Sequence, residues 1–115
     1  MKFEYFITDS IIKHKCILKI RHTVEYEFQN LYLFISSESN KDTIEVLMAE
    51  KNGRWVGKGI GNIREVEIIL NTNKIYNNKG EQKIIIEQAM RHGSRNKIET
   101  LKHIDALGII IAKEQ

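Results

Sequence analysis

The chain has 115 residues, enough for one domain with a modest core, and is 42% hydrophobic and 29% charged, as in a folded domain and unlike a disordered segment. The net charge is only +3, too small an excess for a phosphate-tracking stripe, so nucleic acid is not expected as a partner. No apolar run approaches the ~18–20 residues of a membrane span, and the single cysteine leaves no internal disulfide to form.

Phe3, Tyr5 and Ile7 alternate with Lys2, Glu4, Phe6 and Thr8, the period-2 pattern of a first strand, and Asp9-Ser10 reads as a turn. The clearest alternation follows. Ile12, His14, Cys16, Leu18, Ile20 and His22 share one parity, while Lys13, Lys15, Lys19 and Arg21 share the other, interrupted only by Ile17. This predicts an antiparallel strand with one face in water. Leu31 to Ile35 is apolar on both faces, as in a central strand. Tyr26, Asn30 and Tyr32 share parity with Phe28 and Phe34, which predicts a sheet face packed on the core. Ser36 to Asp42 reads as a polar loop, after which Ile44, Val46 and Met48 lead into Asn52-Gly53, a strong hairpin signal of the type I′ kind.

The stretch from Ala49 to Gly61 holds the only tryptophan and four of the seven glycines. Gly57, Gly59 and Gly61 recur at every second residue, which predicts side-chain-free positions on one strand face, suited to a bulge, a tight bend or the close approach of another backbone. Val66, Ile68 and Leu70 mark the next strand. Asn71 to Gly80 is turn-rich, with Ile75-Tyr76 as a short strand and Asn77 to Gly80 as a second turn. Ile84, Ile86, Gln88 and Met90 alternate again, and Leu107 to Ala112 is the last strand. Between them Ile98, Leu101 and Ile104 are spaced by three, so Lys97 to Ile104 is the one place where one or two helical turns are expected. Eight or nine short strands between frequent turns predict a single all-β domain over 1–115: an antiparallel β-sandwich of Greek-key or jelly-roll type, with at most one short helix.

Motifs for chemistry are missing. Gly57-Lys58-Gly59-Ile60-Gly61-Asn62 brings its third glycine one residue early for a dinucleotide fingerprint, and a phosphate loop would need Ser or Thr where Gly59 stands. His14, Cys16 and His22 lie on one strand face, with His92 and His103 far along the chain and no ligand spacing among them, so they read as core and not as a metal site. Glu45 with Glu50, and Glu65 with Glu67, read as solvated outer faces. The chain is therefore expected to be no enzyme and to need no cofactor or metal.

Trp55, Leu33 and Ile86 are expected in the core. Arg91, Arg95, Lys97 and Lys102 form a basic loop against Glu99, and Arg54 and Lys58 sit on the glycine segment. These six cations are the candidate partner-docking residues, together with an exposed sheet edge. A carbohydrate-binding module is the alternative, resting on the Tyr26, Tyr32 and Trp55 aromatics.

Three runs, in order, resemble the gliding-motility lipoprotein GldH family: Tyr26 to Ile35, Gly53-Arg54-Trp55-Val56-Gly57-Lys58-Gly59-Ile60-Gly61, and Glu87-Gln88-Ala89-Met90-Arg91. Lys19-Ile20-Arg21-His22-Thr23 and Ile104-Asp105-Ala106-Leu107-Gly108-Ile109 are similar to the family's pattern as well, so the resemblance spans roughly residues 12 to 112. It implies a lipid-anchored component of the cell envelope, facing the periplasm, that acts with other proteins of a gliding machine. Such proteins carry an export signal and an acylated cysteine. The chain opens without a basic and then apolar leader, and Lys15 directly before Cys16 does not fit a lipobox, so the anchor is expected upstream of this chain.

Overall fold

In a computed structural model, residues 1–8, 12–37, 41–75, 80–92, 96–97 and 101–113 are described, with backbone only for 71–75, 92 and 96–97. The strands are β1 (Lys2–Ile7), β2 (Lys13–Thr23), β3 (Asn30–Ser37), β4 (Lys41–Leu47), β5 (Ile63–Ile75), β6 (Gly80–Gln88), the short β7 (Arg91–His92) and β8 (Asn96–Lys97), and β9 (Ile104–Lys113). They form an antiparallel four-stranded sheet, β1-β6-β3-β4, packed on an antiparallel three-stranded sheet, β5-β2-β9, with β7 and β8 as a separate small pair. This is a β-sandwich. The pairs β1·β6, β2·β5 and β3·β4 are nested, as in a ribbon that alternates between the sheets, which is jelly-roll connectivity. β9 adds to the open side of β2.

The alternation of β2 becomes the inner wall. His14, Cys16, Leu18, Ile20 and His22 are buried, while Lys19 and Arg21 face out and meet Glu67 and Glu65 across the strand pair at 3.2 and 3.6 Å. Exposed pairs of this kind add little stability; the apolar row carries the energy. Leu18 and Ile20 meet Leu31, Leu33, Val46, Ile84 and Ile86 of the other sheet in one contiguous cluster, closed at one end by Met48 and Met90.

Three connections cross between the sheets at one end of the sandwich. Residues 24–29 join β2 to β3, 48–62 join β4 to β5, and 89–103 join β6 to β9 through β7 and β8. The strand ends they link are neighbours, because Thr23 pairs with Ile63, His22 with Ile104, and Asn30 with Leu47. The expected turns at Asp9-Ser10 and over 77–79 lie outside the described residues, as do Tyr76 and residues 98–100.

Several expectations are corrected. Among the described residues there is no helix: Lys97 is in β8, 101–103 are irregular and Ile104 opens β9. β5 runs unbroken from Ile63 to Ile75, so the turn-rich reading of its second half gives way to ladder pairing with β2. The Tyr32 and Phe34 face is the outer one, with these residues 40% and 39% exposed, because Leu31 and Leu33 take the core side. Tyr26 does not share it; it lies in the 24–29 connection, buried.

Candidate functional site

The glycine-tryptophan segment forms a hairpin, but not the type I′ turn expected. Only Gly53 has positive φ (86°); Asn52 does not. Gly53 N–H donates to the Glu50 carbonyl (2.9 Å) and Glu50 N–H to the Arg54 carbonyl (2.8 Å), the pattern of a three-residue loop closed by a left-handed glycine. The Asn52 side-chain oxygen accepts from Arg54 N–H at 2.9 Å, an Asx contact that favours this geometry. Trp55 then bridges back to Ala49.

Beyond it the chain leaves regular strand geometry, so the three glycines do not line one strand face. Lys58 makes a single bridge to Glu65, with mutual backbone bonds of 3.1 and 2.9 Å. A Cβ on Gly57 would meet the Glu65 carbonyl oxygen at 2.7 Å, and one on Gly59 would overlap the Ile63 carbonyl. Close backbone approach is thus the reason for glycine at both. Gly61 instead takes positive φ (68°) in the turn before β5.

Trp55 is half-buried, its ring 4.8 Å from that of His22. His22 is fully buried; its Nδ1 donates to the Thr23 carbonyl at 2.9 Å, while Nε2 has no hydrogen-bond partner among the described residues. The Tyr26 ring also lies near His22, tilted by 57° with centroids 6.1 Å apart, and reaches Phe28 edge-on (5.7 Å), and its hydroxyl donates to the Asn30 carbonyl at 2.7 Å. These rings form a continuous aromatic rib under the connections. Burial holds the Tyr26 hydroxyl far above the ordinary tyrosine range.

Three of the candidate cations, Arg54, Lys58 and Arg91, line two clefts beside these rings. Arg54 and Lys58, both exposed, line an open cleft of about 720 Å³ with Trp55, Glu50 and Arg64. Arg64 was not legible as a site residue. Its guanidinium donates to the Gly61 and Ile63 carbonyls (2.7 and 2.9 Å), locking the glycine turn; its one sequence signal is an arginine three residues after a turn glycine. Arg91, also exposed, lines a second cleft with Phe28, Tyr32 and Phe34 on the outer sheet face. There Glu45 holds the Tyr32 hydroxyl above its usual pKa by hydrogen bonding and by its charge, and also accepts from the Asn30 amide at 2.8 Å. Lys102 is exposed next to His103, whose carbonyl accepts from Thr23 N–H at 2.9 Å and whose backbone is left-handed (φ 72°). Arg95 and the Lys97 side chain lie outside the described residues. Among those described, Arg54, Lys58, Arg91 and Lys102 have no carboxylate within ion-pair distance. Leu33 and Ile86 lie in the buried cluster, and Trp55 packs against its edge. No three His, Cys, Asp or Glu side chains converge among the described residues.

Fold and site together describe a β-sandwich that carries a basic, aromatic-backed end. The model of the GldH lipoprotein family matches residues 1–111, and the chain belongs to that family. It is 31% identical over 119 residues to a gliding motility lipoprotein GldH homolog of Christiangramia forsetii, covering 98% of this chain and 74% of that protein. It is 29% identical over 118 residues to the gliding motility lipoprotein GldH of Flavobacterium johnsoniae, covering 97% and 73% respectively. No solved structure matches the chain.

Proposed function

We propose that this chain is a non-catalytic docking domain of the gliding machinery, tethered in the cell envelope by a lipid anchor and facing the periplasm. The motility role and the anchor rest on the family. The docking role rests on one observation: Arg54, Lys58, Arg91 and Lys102, exposed and without carboxylate partners among the described residues, all sit on the sheet-crossing connections at one end of the sandwich. Cations so placed suit an acidic protein surface, which they would steer and orient. Of the four carboxylates read as candidate acid and base pairs, Glu65 and Glu67 meet Arg21 and Lys19, Glu45 accepts from Asn30, and Glu50 is exposed in the cleft of Arg54 and Lys58, apart from the Glu45 it was paired with. The aromatics of the carbohydrate alternative are dispersed: Tyr26 is buried, Trp55 is half-buried on His22, and of the three only Tyr32 is well exposed.

Cross-linked capture from native envelopes tests this, using the lipidated full-length protein and its Arg91→Glu variant. The expected result is a fixed set of envelope proteins, recovered about tenfold less by the variant, since a like charge across a docked surface costs affinity. Equal recovery by both forms, or retention on polysaccharide with no protein captured, would overturn the reading.

A further inference from the structure

Among the described residues, the edge strands of the two large sheets are unequally protected. β1 carries Lys2 and Glu4, and β4 carries Lys41, Asp42 and Glu45. β5 has Arg64, Glu65 and Glu67, and its pairing with β2 shifts register twice, at His14/Cys16 and Cys16/Ile17. Charges and bulges of this kind stop a sheet from growing. β9 has neither over most of its length. From Ala106 to Ala112 it has no charge, and its pairing with β2 is regular from Ala106 to Lys113. Among the described residues its other flank has no strand neighbour. That flank borders two open clefts, one reaching Leu33 and Ile86, the other reaching Phe3 and Tyr5 of β1.

We propose that this edge pairs with β9 of a second copy, antiparallel and centred on Ile109, joining the two three-stranded sheets into one of six strands. The sequence of the edge selects this partner. The uncharged segment is bounded by Asp105, the extra residue of the one register shift against β2, and by Lys113; both are exposed. Antiparallel pairing about Ile109 brings each Asp105 to the Lys113 of the other copy, whereas parallel pairing in register would oppose like charges. Between these ends Ala106 meets Ala112, Leu107 meets Ile111, and Ile110, 40% exposed, lies across from Gly108, which has no side chain to obstruct it. Every pair keeps its face, so the core row of one copy continues into that of the other. The interface is isologous and closes at two copies, leaving β5 as the edge at each end of the joined sheet.

Sedimentation equilibrium and register-specific cross-linking test the proposal. The chain is expected to form dimers. Asp105→Lys is expected to weaken dimerisation about tenfold, through loss of two cross-strand ion pairs and gain of repulsion, and Asp105→Lys with Lys113→Asp to restore it. Under mild oxidation, Ala106→Cys mixed with Ala112→Cys is expected to give a disulfide-linked dimer, because directly opposed residues lie within disulfide reach. Neither variant alone should cross-link, its own positions being about 20 Å apart in the dimer. Buried Cys16 is common to both. A chain that stays monomeric at every concentration, including one that captures only an unrelated extended peptide, would overturn the proposal. So would single-cysteine variants that cross-link as readily as the mixture. Neither result bears on the basic end, so the two readings fail separately.

Discussion

His22 shows how a polar side chain can serve as a structural ring. Its inner-face parity places it in the core at 0% exposure, the Thr23 carbonyl accepts from Nδ1, and the Trp55 and Tyr26 rings pack against it at tilted angles. Tyr26 completes the rib by donating its hydroxyl hydrogen to the Asn30 carbonyl. Burial favours the neutral phenol, so the folded chain keeps this proton after the unfolded chain has lost it. Below about pH 10, the ordinary tyrosine pKa, the group is neutral in both states and adds no slope. Above that the unfolded state binds fewer protons, and stability falls as pH rises. Tyr26→Phe is expected to cost about 1 kcal/mol at neutral pH, from one lost hydrogen bond, and to flatten the alkaline slope. Urea unfolding at neutral pH and again above the tyrosine range measures both; an unchanged slope would place the titration elsewhere.

At the scale of elements, the glycine segment works by two different mechanisms. Gly53 supplies a left-handed φ, and a Cβ placed there would have nothing within 4 Å, so a methyl costs only backbone strain. Gly59 lies against the Ile63 carbonyl, so a methyl there must push two backbones apart. Gly53→Ala is therefore expected to cost about 1 kcal/mol and Gly59→Ala about 3 kcal/mol, compared by urea midpoint. The reverse order would show that the hairpin, and not the backbone contact, organises the segment. Arg64 supports the second mechanism by holding the Gly61 and Ile63 carbonyls in place.

Across the whole molecule, the nested pairing joins residues distant in the chain, and both sheets share one buried cluster. Leu18 of the three-stranded sheet and Leu33 of the four-stranded sheet lie in it together. Leu18→Ala and Leu33→Ala are each expected to cost about 2–5 kcal/mol while leaving a single transition. Trp55 fluorescence, reporting on the crossing connections, and far-UV circular dichroism, reporting on the strands, should coincide in both variants. Separate transitions would mean that the sheets unfold independently.

The strands were legible because their signal is local. Alternation over β2, and the paired runs around β4 and β6, state which residues want water and which do not, whatever partner the strand finds. The glycines at 57 and 59 were legible as a need for space, and Arg91, Arg95, Lys97 and Lys102 as a local run of like charge, with Arg54 and Lys58 apart from it. What lay beyond the sequence depends on partners far along the chain. Where a strand is apolar on both faces, as from Leu31 to Ile35, parity cannot say which row faces the core; packing on β2 chose Leu31 and Leu33 and left Tyr32 and Phe34 outside. The spacing of Ile98, Leu101 and Ile104 suited a helix, but Ile104 is claimed by pairing with His22, far back in the chain. The sequence by itself determined most of the long strands, the all-β class and the family. The order of strands, the gathering of Arg54, Lys58, Arg91 and Lys102 at one end, and the bare edge of β9 were decided only by the tertiary structure, because each depends on which strands meet.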